Sequence, residues 1–274
     1  MISIKLLTLN AHSFLEQDSD KKLLHFAKAV AEQLPDVVAL QEVSQTSASQ
    51  PADKNALAEF VSAGSKTIIK EDNFVLRVIK LLADEGIKYH WSWLPIKLGY
   101  GKLEEGIAVM TRNPIQNVSP VLVSRADDFE NWKTRKILGV TTDGEEWFYS
   151  VHYGWWNDKA EPFFDQWEKT LHEVSKRKKT WLMGDFNNPA QVKFEGYDLV
   201  TKSGFHDSFL MAKNHDSGIT VRKHIDGWEN EELKRLRIDQ IWCSEKVAVK
   251  SSRVIFSGHF YPVVSDHCGV IVQI

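Results

Sequence analysis

Short apolar runs that stop at a polar residue recur along this chain. Residues 3–10, 36–42, 106–112, 146–152, 180–186, 237–243 and 267–273 are rich in β-branched or aromatic side chains and mostly bounded by turn residues, which predicts core strands. Between the first two, Leu23, Leu24, Ala27, Val30, Ala31 and Leu34 fall on one stripe and predict a helix of about 15 residues that Pro35 ends. A second helix is predicted over 71–85, with Phe74, Val75, Val78, Ile79 and Leu82 on its apolar side and Gly86 at its stop. A third begins at Glu161-Pro162 and ends in KRKK at 176–179, where basic charge favours the macrodipole. The polar segment SQTSASQPADKN, 44–55, reads as a surface loop. Strands alternating with helices in this way make a strand-rich α/β protein, and no solenoid-type repeat interrupts them.

The polar residues that end those runs are of one chemical kind. The first strand runs into Asn10 and then His12, the second into Gln41-Glu42, the fourth into His152, and the fifth into Asp185 and Asn187. Asp239 lies between Ile238 and Ile241 in a run that should be buried, so it needs a partner; Asp266 and His267 open the last strand. Any one of these is ordinarily a cap or a turn. Together they gather metal-type and proton-type groups at strand ends, where ligands of α/β sheets collect, and carboxylates brought together repel unless a cation joins them.

Composition narrows the setting. A chain of 274 residues, 43% hydrophobic, can bury a real core, and no linker divides it, so 1–274 reads as one domain. The net charge of −3 and pI near 6.4 argue against a broad basic surface, so nucleic acid is not the favoured partner. No apolar run is long enough for a bilayer, so no membrane partner is expected, and nothing implies an obligate protein partner. The start, MISIKLLTLNAH, reads as a first strand and not as a signal peptide. Cys243 and Cys268 both sit in strand-like segments and read as small buried apolar residues in a reducing compartment, with a disulfide as the minor alternative.

The segments TLNAH, LQE, EGIAVMTR, SVHYG, GDFNN, RIDQI and SDH, in that order and across essentially the whole chain, resemble the endonuclease/exonuclease/phosphatase superfamily. The resemblance implies a deoxyribonuclease-I-like fold: a four-layer α/β sandwich of two packed mixed β-sheets flanked by helices, with the site at one end. Carried over by position, it implies Glu42 as the main Mg²⁺ ligand, with Mn²⁺ as the alternative ion, and Asn10 and Asp266 close to the ion or its waters. Asp185 would orient and deprotonate the attacking water, Asn187 would hold a phosphoryl oxygen, and His152 and His267 would contact the phosphoryl group. Asp239 should pair with His267 and Glu105 with His152, each carboxylate favouring the imidazolium.

Members of the superfamily cut nucleic acids, sphingomyelin, inositol phosphates and other esters, so the substrate needs further signals. No basic stripe accompanies the motifs, and no signal peptide or exposed apolar hairpin of a secreted sphingomyelinase is visible. Ten tryptophans are many for this length, and GWWND puts Trp155 and Trp156 directly after the His152 strand, followed by Asn157 and Asp158. Trp147 and Trp242 fall within strands and read as core. Two adjacent ring faces beside polar groups in a loop suit a sugar, as does Trp228 in HIDGW. GWWND, DDFENWKTRKILG and HIDGW are similar to a subgroup from low-GC Gram-positive bacteria that hydrolyses maltose 6′-phosphate, which implies a cytoplasmic, Mg²⁺-dependent phosphomonoesterase acting on a small sugar phosphate, with Arg135 as an added contact to the phosphate. The rival readings are a Mg²⁺-dependent nuclease or other phosphodiesterase with the same residues, and a non-catalytic binding module, which a filled set of acidic and histidine positions disfavours.

Overall fold

The structure, a computed structural model, describes residues 4–222 and 235–274. In chain order the elements are β1 (Lys5–Asn10), α1 (Ser19–Gln33), β2 (Val37–Thr46), α2 (Phe74–Asp84), β3 (His90–Gly99), β4 (Leu103–Thr111), β5 (Asn117–Leu122), β6 (Lys136–Thr141), β7 (Glu146–His152), α3 (Phe163–Val174), β8 (Lys179–Asp185), α4 (Gly196–Lys202), β9 (His206–Asp207), α5 (Ser208–Met211), β10 (Ala212–His215), β11 (Asp239–Cys243), β12 (Val249–Ile255) and β13 (Gly269–Gln273). They build a seven-stranded sheet of order β10-β12-β13-β1-β2-β4-β3 and a six-stranded sheet of order β5-β6-β7-β8-β11-β9.

Both sheets are mixed. Each has a parallel pair near its centre, β1 with β2 and β7 with β8, and each pair is bridged by a helix. One apolar layer, including Leu6, Ala39, Val109, Leu138, Trp181, Met183 and Val272, lies between the sheets. A second joins α1 and α2 to the outer face of the seven-stranded sheet through Phe26, Val30, Val75, Val78 and Trp91. A third joins α3 and α4 to the six-stranded sheet through Tyr149, Tyr153, Phe163, Trp167 and Val200. The result is the four-layer α/β sandwich expected from the sequence.

The parallel pairs decide where chemistry can gather. The ends of β1 and β2 emerge together, Asn10 opposite Gln41, and those of β7 and β8 do the same, His152 opposite Asp185. The antiparallel strand β11 begins at that same edge, with Asp239 opposite Asp185, and β13 begins there beside β1. All the polar strand ends therefore meet at one end of the sandwich.

Several local expectations are corrected. The segment 44–55 is not all surface loop: β2 runs on to Thr46, and Ser44 and Gln45 are buried, Gln45 donating to the Ile68 carbonyl at 2.8 Å. The α1 stripe is rotated from the expected one, with Phe26 and Ala29 buried while Leu24 is half exposed. The basic run after α3 is held by ion pairs more than by the helix end: Arg177 binds Glu173 and stacks over Trp147 at 3.8 Å, while Lys178 and Lys179 pair with Glu145 and Glu146 at 2.6 Å each. Trp147 and Trp242 are core, and Cys243 and Cys268 are both buried and unbridged. No helix of the described residues is long and apolar enough to cross a membrane.

Candidate active site

The backbone delivers the site residues through local departures from regular strand. In β2 the register with β4 shifts between Leu40 and Val43, a bulge in which Gln41 and Glu42 together oppose Ile107. Glu42 sits there with φ 52°, and His12 and Asn187 are likewise left-handed at 46° and 47°. Such conformations cost a non-glycine residue of order 1 kcal/mol or more and persist where the surroundings over-determine them, typically at functional sites. Gln41 turns the other way and locks the two sheets together beneath the site, its amide donating to Ser150 Oγ at 2.9 Å. Gly184, at φ 154°, lets the chain approach there, since a Cβ would lie 1.9 Å from the Val151 carbonyl oxygen.

On this floor stand Asn10, Glu42, His152, Asp185, Asp239 and His267. Asn10 donates its amide to Glu42 Oε1 at 2.8 Å and to Asp185 Oδ2 at 3.3 Å, so here it acts as a donor between the two carboxylates. Asp185 Oδ1 accepts the Asn187 backbone N–H at 2.8 Å. Its Oδ2 lies 3.7 Å from His152 Nε2 and 3.9 Å from His267 Nε2, facing both rings without a direct hydrogen bond. Asn187 turns its amide to the Tyr153 carbonyl at 2.9 Å. His267 Nδ1 donates to Asp239 Oδ2 at 2.9 Å, which aims Nε2 at the site. Asp266 stands at the rim, its Oδ1 3.7 Å from His12 Nδ1, and His12 also bonds Glu16 at 2.8 Å.

Burial and neighbours set the protonation states. Burial pushes the Asp185 carboxyl up to about 7, with Asp239 and Glu42 adding to the rise and His267 opposing it. Burial also raises Glu42, assisted by Glu105. For His267, burial favours the neutral ring, but the charge and hydrogen bond of Asp239 outweigh it and hold the imidazolium well above the usual histidine range. His152 goes the other way: burial, then Arg135, Lys97 and His267, depress it well below that range. The carboxylates 3.7–3.8 Å away are beyond hydrogen-bonding distance and do not offset this.

This corrects the expected pairing of Glu105 with His152. Glu105 instead forms an ion pair with Lys97 at 3.0 Å across β4 and β3, and His152 is neutral. The reason is register: Glu105 stands opposite Lys97, whose ammonium claims the carboxylate.

Around these groups is a cavity of about 440 Å³, lined among others by His12, Glu42, Lys97, Tyr100, Glu105, Trp132, Arg135, His152, Trp155, Asp185, Asn187, Asp266 and His267. Arg135 is buried, not a surface-strand residue, and its Nη1 donates to the carbonyls of Trp132 and Thr134 at 2.9 and 3.1 Å. Its Nε–H and the Trp155 Nε1–H are buried without a hydrogen-bond partner among the described residues, two donors suited to ligand oxygens. Of the paired tryptophans only Trp155 lines the cavity; Trp156 packs on Phe163, ring centroids 6.4 Å apart, as part of the α3 core. Asn157 is exposed and outside the lining. Asp158 is also outside it, committed to Lys133 at 2.6 Å and to the N–H groups of Ala160 and Glu161. Trp228 lies outside the described residues.

Six lining residues are not singled out from the sequence, Leu15, Lys97, Leu98, Gly99, Tyr100 and Trp132, and three of these carry polar or aromatic side chains. Trp132, 55% exposed, meets Trp155 edge-on at 6.0 Å, and Lys97 and Tyr100 come from the end of β3. The quoted DDFENWKTRKILG contained Trp132, but nothing in its spacing brings it to Trp155.

The sequence profile of the Endonuclease/Exonuclease/phosphatase family matches residues 7–267. The chain belongs to this family. Its structure matches that of an endonuclease/exonuclease/phosphatase family protein from Leptotrichia buccalis C-1013-b at TM-score 0.86 and 30% identity, over 98% of each chain. At 19% identity it shares the fold of a mannosyl-6-phosphatase from Bacteroides thetaiotaomicron VPI-5482 (TM-score 0.65, 99% of each chain). It likewise shares the fold of a 3′ phosphatase from Neisseria bound to product DNA hairpin (TM-score 0.63, 98% of each chain). A search of curated proteins returned no match. Endonuclease/exonuclease/phosphatase enzymes are hydrolases, phosphatases and nucleases among them, and generally depend on divalent metal ions.

The residues present fit such an ion. Asp185 is buried and Glu42 partly so, Asn10 bonds both carboxylates, and Glu42 adds to the rise of the Asp185 carboxyl, a repulsion that a divalent cation relieves. Hard oxygen donors on one side and an open cavity on the other leave room for the waters and phosphate oxygens that Mg²⁺ keeps in its shell. Two acid-histidine groups, His12 with Glu16 and Asp266, and Asp185 with Asp239 and His267, each bring ligand atoms within 4.8 Å of one another.

Proposed function

We propose that this protein is a Mg²⁺-dependent phosphomonoesterase that hydrolyses a sugar phosphate, with maltose 6′-phosphate as the substrate and maltose and phosphate as products. The observation that carries this reading is the make-up of the cavity around the acidic cluster. Phosphate-type partners, Arg135, His152 and His267, stand at its base, and an aromatic wall, Trp155 with Trp132, stands beside them. A cavity of about 440 Å³ is in the range of small-ligand sites, and ring faces next to hydrogen-bonding groups suit a sugar. The residues that would hold the ion are Glu42, Asp266 and Asn10, and when bound it supplies charge neutralisation on the phosphoryl oxygens.

The chain's own groups account for the rest. Asp185, fixed by the Asn187 N–H and facing both histidine rings, takes the proton of the attacking water. His267, held as imidazolium by Asp239, donates a hydrogen bond to the phosphoryl group or a proton to the departing sugar oxygen. His152, neutral, donates or accepts one hydrogen bond at the phosphoryl group, and the Arg135 guanidinium adds charge. Two buried unbridged thiols support a reducing, cytoplasmic setting.

Phosphate release from maltose 6′-phosphate with Mg²⁺, beside the Asp185→Asn variant, tests this reading. Turnover by the wild type and a fall of roughly two to four orders of magnitude in the variant support it. Absence of release from any sugar phosphate overturns it.

A further inference from the structure

The loop that carries Trp132 is fastened at both ends to the segment that carries Trp155. At its start, the buried Glu161 carboxylate accepts the backbone N–H groups of Arg125 and Ala126 at 2.6 and 3.0 Å. At its far end Lys133 Nζ meets Asp158 Oδ2 at 2.6 Å, with the Asp158 side chain only 9% exposed. Asp158 is itself rigid, since its Oδ1 accepts two N–H groups at 2.8 and 2.9 Å ahead of α3. The Lys133 ammonium also stands 5.1 Å from the Trp132 ring centroid, and the Trp132 ring meets Trp155 at 6.0 Å and 62°. The Trp132 backbone is held separately, its carbonyl accepting from Arg135 Nη1 at 2.9 Å, so loss of the ion pair frees the ring and leaves the Arg135 anchor in place.

We propose that the Asp158–Lys133 ion pair is a positioning device for substrate selectivity. It holds Trp132 against Trp155 and so shapes the wall that receives the non-phosphate part of the substrate. The proposal rests on the phosphomonoesterase reading above and extends it. Asp158 touches no ligand in this account, which replaces its expected role as a direct sugar contact. An exposed ring on a loop is otherwise free to swing, and a cation fixed by a buried carboxylate holds it through a cation–π contact. Without the pair, the wall is populated only part of the time, and the apparent affinity for whatever stacks on it falls in proportion.

The test compares the wild type with Asp158→Asn and, from the other side, Lys133→Gln. KM and kcat are measured for maltose 6′-phosphate and for p-nitrophenyl phosphate, which lacks a sugar. In the ligand-free proteins the exciton signal of the Trp132–Trp155 pair is read by circular dichroism, as the difference from Trp132→Phe. The expected result is a KM for the sugar phosphate raised about 5- to 30-fold, kcat nearly unchanged, p-nitrophenyl phosphate unaffected, and the exciton signal lost. The swap Asp158→Lys with Lys133→Asp should restore part of both. An exciton signal that persists in both single variants, or KM values for the two esters that move together, overturns the proposal. Because the exciton signal needs no substrate, it separates failure of the positioning device from failure of the phosphatase reading.

Discussion

Replacing Asp239 by Asn changes one charge and almost no volume, and the site predicts a large kinetic effect. Asp239 is buried, and its carboxylate sits 2.9 Å from His267 Nδ1. With charge centres then about 4 Å apart, an imidazolium and a carboxylate attract by about 4 kcal/mol at an effective dielectric of 20. An asparagine keeps a neutral hydrogen bond worth about 1 kcal/mol, which leaves about 3 kcal/mol to be lost where the imidazolium is needed. At 1.36 kcal/mol per tenfold in rate, kcat should fall by roughly two to three orders of magnitude. KM should change little, since Asp239 does not line the cavity. The assay is phosphate release at saturating substrate for Asp239→Asn, His267→Ala and the double variant, with near-ultraviolet circular dichroism to check the fold. Because the two residues act as one unit, the double variant should be no worse than His267→Ala alone. A single Asp239→Asn variant within about threefold of wild type, or losses that simply add, would refute the reasoning that produced this number.

Other consequences can be checked with the same protein. Chelation by EDTA should abolish activity and Mg²⁺ restore it, and Glu42→Gln should raise the Mg²⁺ concentration needed for half-activity; full turnover of the chelated protein would contradict the metal assignment. Trp155→Ala should lower kcat/KM for maltose 6′-phosphate while sparing p-nitrophenyl phosphate, whereas Trp156→Ala, which loses core packing on Phe163, should lower Tm and leave the ratio of the two substrates alone. Burial opposes the charge on Glu173, yet hydrogen bonds from Arg177, Ser119 and Tyr149 outweigh it and hold the carboxyl at about 2 instead of 4.5. A carboxyl held below its unfolded value stabilises the fold at higher pH and loses that contribution as pH falls through about 4.5 towards 2. Glu173→Gln should therefore cost roughly 1–3 kcal/mol near neutral pH in thermal or urea unfolding, with the gap to wild type closing in acid; a gap independent of pH would show that the charge is not what matters.

Seven strands are legible because their burial leaves an apolar run: β7 reads at its observed bounds and β1, β2, β4, β8, β11 and β13 within a few residues, while the interior strands β6 (KILGVT, broken by Gly139) and β12 (VKSSRVI, four of seven residues polar) escape it. Strands at the sheet edges are not legible either. β3 and β5 carry Pro95 and Pro120, which an edge strand tolerates but which break the sequence signal of a strand. The short β9 and β10 hold too few residues to show a period. The polar strand ends were legible as a set because parallel central strands bring their ends to one edge, and the structure gathers Asn10, Glu42, His152, Asp185, Asp239 and His267 there. The partners of those residues were less legible. Lys97 takes Glu105 through the β3–β4 register, and Trp132 meets Trp155 through a loop folded back by Glu161 and Asp158. Neither contact has a sequence separation that a motif could encode.

A cavity suited to a phosphate on a small sugar should separate sugar phosphates sharply from nucleic acids. The measurement that tests it most directly is kcat/KM with Mg²⁺ for maltose 6′-phosphate, read by phosphate release, against cleavage of single-stranded and duplex DNA by the same preparation. Efficient release from maltose 6′-phosphate, lost in Asp185→Asn, is expected, with negligible DNA cleavage at moderate salt. DNA hydrolysed faster than any sugar phosphate would contradict it and make the protein a nuclease.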